Sequence, residues 1–228
     1  MQNRVNNLER KIILTKEGFG VISIIILASI IFTLGAYVTG NTLLVVASVI
    51  VWILGGFSFY FFRDPERTIP SGDNLVLSPA DGKIISIEEE HEPLIFEKKA
   101  TKVSIFLSVF DVHINRIPID GEVTYFDYQK GNFYPAYKHE ASSKNEQTVI
   151  GIEGDRCKLL LKQIAGIIAR RIVCHIRDGH IVKKGKRFGM IKFGSRTELF
   201  LPEHVKIQVK LNDHVKGGET IIGIINEK

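Results

Sequence analysis

The architecture turns on GFGVISIIILASIIFTLGAYVT at residues 18–39 and, after Gly40-Asn41, TLLVVASVIVWILGGFSFYFF at residues 42–62. These 45 residues contain no Asp, Glu, Lys or Arg; all 30 basic and all 25 acidic side chains lie outside them. Each half is about 20 residues, the length that crosses a hydrocarbon core of about 30 Å. With so short a turn between them, the two halves predict a helical hairpin through a membrane. A signal peptide has a shorter apolar region and no second span. A buried hairpin in a soluble core is the other alternative, disfavoured by the length of the charge-free run.

Working outward, Arg4, Arg10, Lys11 and Lys16 precede the hairpin, Arg63 and Arg67 follow it, and the turn carries no cation. Loops rich in Lys and Arg stay in the cytoplasm, so both ends are expected there. Tyr60 lies where an interfacial anchor would, and Trp52 less so. The expected organisation is a cytoplasmic segment 1–17, a transmembrane hairpin 18–62 and a soluble domain 63–228 under the inner face of the cell membrane.

The chain-wide balance, 45% hydrophobic and 24% charged residues, is that of an ordinary globular protein and conceals this split. A net charge of +5 suits an anionic membrane or substrate better than a nucleic-acid duplex, so no nucleic-acid partner is expected. Two cysteines, Cys157 and Cys174, are too few for a disulfide scaffold.

After the polar exit Arg63-Asp64-Pro65-Glu66-Arg67, where Pro65 should stop the helix, the pattern becomes β-like. Leu75-Val76-Leu77 leads into Ser-Pro-Ala-Asp-Gly at 78–82, a turn with Asp81-Gly82 at its tip. Ile84, Ile85 and Ile87 follow, and residues 103–109 alternate as a half-buried strand does. Residues 123–126, 149–152, 159–161 and 205–211 continue the series. The run 164–176 leaves helix and strand both open. Val182-Lys183-Lys184-Gly185 with a later Gly189 resembles Val215-Lys216-Gly217-Gly218 with a later Gly223, a turn recurrent in lipoyl- and biotinyl-type folds. No cofactor-attachment lysine motif accompanies it. The fold class predicted is a mainly β domain, a barrel or sandwich with lipoyl-like turns, behind an α-helical transmembrane hairpin.

The chemistry centres on Phe193-Gly194-Ser195-Arg196. A serine hydroxyl can reach its own preceding carbonyl, and glycine permits the strained backbone that such an attack needs. A bare Gly-Ser is usually only a turn. His113, in the polar segment Asp111-Val112-His113-Ile114-Asn115-Arg116, can serve as acid or base near neutral pH, or merely hydrogen-bond a loop. Asp81 can orient it, or simply form its turn. No histidine or cysteine spacing suggests a metal. Arg170-Arg171 and Lys183-Lys184-x-Lys186-Arg187 are solvated faces or sites for anionic headgroups, about 1 kcal/mol per cation.

Together these pieces resemble the membrane-bound phosphatidylserine decarboxylases in their short form. The resemblance spans about residues 10–228. It rests on the paired spans, Phe62 to Arg67, Ser78-Pro79-Ala80-Asp81-Gly82-Lys83, Asp111 to Pro118, Gln163 to Arg171, and Phe193 to Arg196, in the family's order. It implies a proenzyme that cuts itself between Gly194 and Ser195 into a β chain, 1–194, and an α chain, 195–228. The α chain then begins with a pyruvoyl group made from Ser195, with neither metal nor pyridoxal phosphate. That ketone would form a Schiff base with the substrate amine and act as the electron sink for loss of CO2 from phosphatidylserine. His113 and Asp81 are implied to assist. The family's longer branch carries His-x-x-His here; in this chain the second position is Arg116, whose fork suits a phosphate or carboxylate. A related ether-lipid phosphoserine as substrate, a non-enzymatic membrane-tethered scaffold and a homo-oligomeric assembly stay open.

Overall fold

The computed structural model describes residues 12–167, 171–192 and 194–226. Arg4, Arg10 and Lys11 of the flanking cations, Arg170 of the basic pair and Phe193 of the Gly-Ser motif lie outside the described residues. The chain forms two compact units, one ending at Glu66 and one spanning Arg67–Lys228.

In the first unit, β1 (Ile12–Leu14) precedes α1 (Lys16–Thr39) and α2 (Thr42–Phe61), and β2 (Arg63–Pro65) returns to pair antiparallel with β1. Both helices are long and apolar enough to cross a membrane, and only 17% of each spanning window is buried, which argues against a soluble-core hairpin. Gly40 closes α1 at φ 66° and gives its N–H to Ala36 O at 2.9 Å. Asn41 then caps α2, its Oδ1 accepting the Leu43 N–H at 2.8 Å, which satisfies one of the free N–H groups of the first turn. The second helix ends at Phe61, before Pro65, because residues 63–65 are taken up by the ladder with β1.

The second unit is almost entirely β. Its strands are β3 (Leu75–Leu77), β4 (Gly82–Glu92), β5 (Lys98–Leu107), β6 (Ile114–Arg116) and β7 (Gly121–Gln129). After the short α3 (Ala141–Lys144) come β8 (Gln147–Glu153), β9 (Lys158–Ile164), β10 (Ile172–Cys174), β11 (Ile181–Val182) and β12 (Arg187–Ile191). The chain closes with β13 (Ser195–Leu201), β14 (Val205–Ile207), β15 (His214–Val215) and β16 (Ile221–Ile225). One eight-stranded sheet has the order β11-β7-β8-β9-β13-β5-β4-β15, and two three-stranded sheets have the orders β10-β12-β6 and β14-β16-β3.

Apolar side chains of the large sheet (Val103, Ile105, Ile150, Leu161, Leu199) share one core cluster with Val76, Val205 and Ile222 of a small sheet. The alternation that identified the strands is thus the alternation of faces across a core. A second cluster, with Phe96, Val149, Leu160 and Phe200, covers the opposite face.

The undecided run 164–176 is strand at Ile164, the last residue of β9, and at Ile172–Cys174, which form β10. The alternating run 205–211 is strand through Ile207, and Gln208 N–H still binds Ile222 O at 2.8 Å before the pairing ends. Asp213 turns the chain there, its Oδ2 accepting the Lys210 N–H at 2.8 Å while its own N–H binds Lys210 O at 3.1 Å; Leu211 is left 56% exposed. The two Val-Lys-x-Gly turns prove equivalent: Gly185 and Gly218 both have φ 76°, each following a two-residue strand.

Candidate functional site

Strand β13 is interior to the large sheet, paired with β5 on one side and β9 on the other, and all seven of its residues are buried. Ser195 is its first residue, opposite Leu107, and is 0% exposed. Gly194, just before it, has φ 55°, in the left-handed region that glycine enters without a Cβ clash. The backbone therefore switches from left-handed to extended across one peptide bond. The Ser195 Oγ is buried and makes no hydrogen bond. A buried hydroxyl left without a partner costs about 1–3 kcal/mol. It fits a group held for reaction, the role a pyruvoyl precursor requires.

Successive residues of β13 point to opposite faces. Thr197 follows Ser195 on its face and joins a polar relay. Asn115 Nδ2 lies 3.5 Å from Thr197 Oγ1 and 3.4 Å from Pro79 O. Gln163 Nε2 donates to Asn115 Oδ1 at 2.8 Å, and Thr148 Oγ1 donates to Gln163 Oε1 at 2.7 Å. Backbone bonds reinforce it: Arg116 N–H binds Pro79 O at 2.9 Å. Three segments singled out in the sequence, those carrying Pro79, Asn115 and Gln163, are thus tied to Thr197, the residue that follows the Gly-Ser motif segment in β13.

His113 is fully buried, with Nδ1 2.9 Å from the carbonyl oxygen of Asp111. A carbonyl only accepts, so Nδ1 is the donor in this bond, which fixes the orientation of the ring. The His113 carbonyl accepts the Ile191 N–H at 3.3 Å, fixing the residue against β12. Asp81 accepts the Gly217 N–H at 2.8 Å through Oδ1, and Arg67 Nη2 at 2.6 Å through Oδ2. Burial outweighs both favourable partners and holds the Asp81 carboxyl above its usual range. Arg67 also reaches Glu219, at 3.3 Å. Arg116 is 5% exposed and donates through Nη1 to Gly185 O at 3.0 Å, so one arm of its fork serves the lipoyl-like turn.

On the other face of β13 sit Arg196 and Glu198, 4% and 0% exposed. Their Nε and Oε1 atoms are 3.2 Å apart, and Ser142 bonds both, donating to Glu198 at 2.6 Å. Burial draws the Arg196 guanidinium down while Glu198 counters it. This pair, the Asn115–Gln163 relay and Arg67 beside Asp81 were not foreseen. Only the polar identities at 196 and 198, inside a strand apolar at 199–201, hinted at the first of them.

Of the basic stretch at 183–187, Lys183 lies 4.0 Å from Asp120, and the Lys184 ammonium bonds the Gly72 carbonyl. A polar groove lined by Asp73, Asp120, Glu122, Glu153 and Lys183 contains none of the candidate site residues. Among the described residues no group of three or more His, Cys, Asp or Glu could hold a metal ion.

Comparison with known proteins points to one family. The family described as phosphatidylserine decarboxylase matches residues 54–223. The phosphatidylserine decarboxylase proenzyme of Chlorobium limicola is 42% identical over 209 residues, 92% of this chain and 98% of its own length. That of Carboxydothermus hydrogenoformans is 48% identical over 177 residues, 77% of this chain and 83% of its own. That of a Wolbachia species is 52% identical over 174 residues, 74% and 76% respectively. Neither the scaffold reading nor the ether-lipid reading gains support from these relatives.

Proposed function

The chain belongs to the phosphatidylserine decarboxylase family, and from that premise we propose that it converts phosphatidylserine to phosphatidylethanolamine and CO2 after cutting itself at Gly194-Ser195. The observation that carries this reading is the buried, unbonded Ser195 hydroxyl directly after a left-handed glycine.

In the maturation step, Ser195 Oγ attacks the Gly194 carbonyl carbon. The C–O bond forms as the C–N bond breaks, giving an ester and freeing the Ser195 amine. Loss of the Ser195 Cα proton expels the Gly194 carboxylate and leaves dehydroalanine. Tautomerisation and attack by water release ammonia and leave a keto group. His113 is proposed as the base: it is fully buried, its ring is oriented by the Nδ1 bond to the Asp111 carbonyl, and an imidazole can take up a proton near neutral pH. Asp81 is proposed to position the 78–83 turn, clamped by Arg67 and the Gly217 N–H. Once formed, the pyruvoyl group supplies an electron sink for the pair released when the carboxylate leaves. Thr197, Asn115 and Gln163 hold the strands around it, and the burial of β13 keeps water from the reacting carbon.

The two apolar helices support membrane association. With Arg4, Arg10, Lys11, Lys16, Arg63 and Arg67 flanking them, the domain is proposed to work on the cytoplasmic face of the inner membrane, where its lipid substrate lies.

An intact mass spectrum of the purified chain tests the reading. Two pieces are expected, the smaller beginning at position 195 with a keto group in place of the amine. Ser195→Ala should give one uncut chain and no CO2 release. A processed Ser195→Ala chain, or an uncut parent that still releases CO2, would overturn it.

A further inference from the structure

A second glycine, Gly166, packs against the Gly194 carbonyl. Gly166 is buried two residues beyond the end of β9. A methyl group built on its Cα would overlap the Gly194 carbonyl oxygen, lie 3.0 Å from the Gly194 carbonyl carbon and 3.3 Å from Ala136 Cβ. Gly194 itself is the opposite case: a methyl on it would meet nothing within 4 Å, and only its φ of 55° requires glycine. One glycine is there for an angle, the other for space.

The segment carrying Gly166 is firmly held. Ala165 N–H binds Glu146 O at 2.9 Å. Asn145, 1% exposed, donates through Nδ2 to Ala165 O at 2.7 Å and to Tyr134 O at 2.8 Å, and accepts the Tyr134 N–H through Oδ1 at 2.9 Å. Its donors and its acceptor are all engaged, so residues 165–166 have little freedom to retreat. A backbone carbonyl cannot swing aside as a side chain can. It moves only if the peptide plane between residues 194 and 195 rotates.

We propose that Gly166 is a positioning residue for self-cleavage: its bare Cα lets residues 165–166 pack against the Gly194 carbonyl and fix the plane of the bond that Ser195 attacks. This rests on the self-cleavage reading above. Geometry of this kind matters because misplacement of reacting atoms by about 1 Å can cost about 100-fold in rate. Asn145 acts at one remove, by holding Ala165.

The test follows cleavage of the full-length chain by intact mass during cell-free synthesis. Gly166→Ala should slow cleavage at least ten-fold. Asn145→Ala, which adds no bulk, should slow it by a smaller factor. Added hydroxylamine, which cuts esters, should not restore the Gly166→Ala rate, because the impaired step precedes the ester. Melting of uncleavable Ser195→Ala chains with and without Gly166→Ala should agree within a few degrees. Parental cleavage rates in both variants, rapid hydroxylamine cutting of an accumulated ester, or a large fall in melting temperature would each overturn the role given to Gly166. An uncleaved parent would overturn the self-cleavage reading itself, and this inference with it.

Discussion

The two units of this chain differ in the residues that dominate their buried positions. In the β unit the buried set is led by Ile84, Ile105, Leu107, Ile150, Leu159 and Leu161, all at 0% exposure. In the hairpin six of the eight buried helix positions are small, Gly18, Ser29, Ala36, Ser48, Gly55 and Ser58, beside Ile22 and Phe61, while Leu27, Leu34, Val38 and Ile53 face outward. Thr33 and Ser48 hydroxyls meet at 2.7 Å between the helices, and Trp52 Nε1 donates to Thr33 Oγ1 at 3.2 Å. The difference is the one expected if the solvent of the hairpin is lipid. Against water, burying Leu and Ile is the main stabilising term, about 25 cal/mol per Å². Against lipid that term vanishes between helices, and close approach of small residues with interhelical hydrogen bonds takes its place.

The contrast can be broken at three points. The largest effect is expected from Ile105→Ala in the β core, about 2–5 kcal/mol of lost stability, read as a lower denaturation midpoint. Truncating the 66%-exposed Ile53 to Ala in detergent serves as the contrast and should leave that midpoint within about 0.5 kcal/mol. Equal losses at both sites would remove the distinction between the units. Next comes Ile53→Lys, which places a cation on the outward face of α2 at about 2.5–3.5 kcal/mol for insertion near a membrane centre. Carbonate extraction of membranes should release a substantial fraction of this variant; full retention would deny that the face meets lipid. Smallest is Thr33→Val, which removes the hydroxyl shared by Ser48 and Trp52. Interhelical bonds of this class average about 0.6 kcal/mol, so a helix-association assay should register a slight weakening. A loss beyond about 2 kcal/mol would show that the polar contact, rather than close packing, holds the hairpin.

The hairpin was legible in the sequence almost to the residue, because absence of charge over 45 positions needs no tertiary information. Most strands were legible too, since a period of two survives wherever one face is buried. The end of the run at 209–211 shows the limit: Val209 still packs against the core, yet Leu211 is exposed because Asp213 spends both its carboxylate and its N–H on Lys210 and turns the chain. The site was legible only in part. Ser195, His113 and Asp81 emerged from family resemblance, while Gly-Ser alone reads as a turn. The relay from Thr148 to Thr197 escaped because it depends on registers among distant strands: Thr148 opposite Gln163, and Gln163 opposite Thr197. Likewise the ion pair of Arg67 with Asp81 is closed by the fold of the second unit, although Arg67 is its first residue.

The position of β13 has a consequence for the broken molecule. It lies between β5 and β9, and the chain after it supplies one edge strand of the same sheet and two of the three strands of another. A nick ahead of position 195 would leave a 34-residue fragment woven through two layers, with partners on either side of its leading strand. The fragments could separate only by unzipping the interior of the larger one. Dissociation and denaturation would then be a single event, and the melting temperature of the processed protein would rise with its concentration, as it does for an obligate dimer.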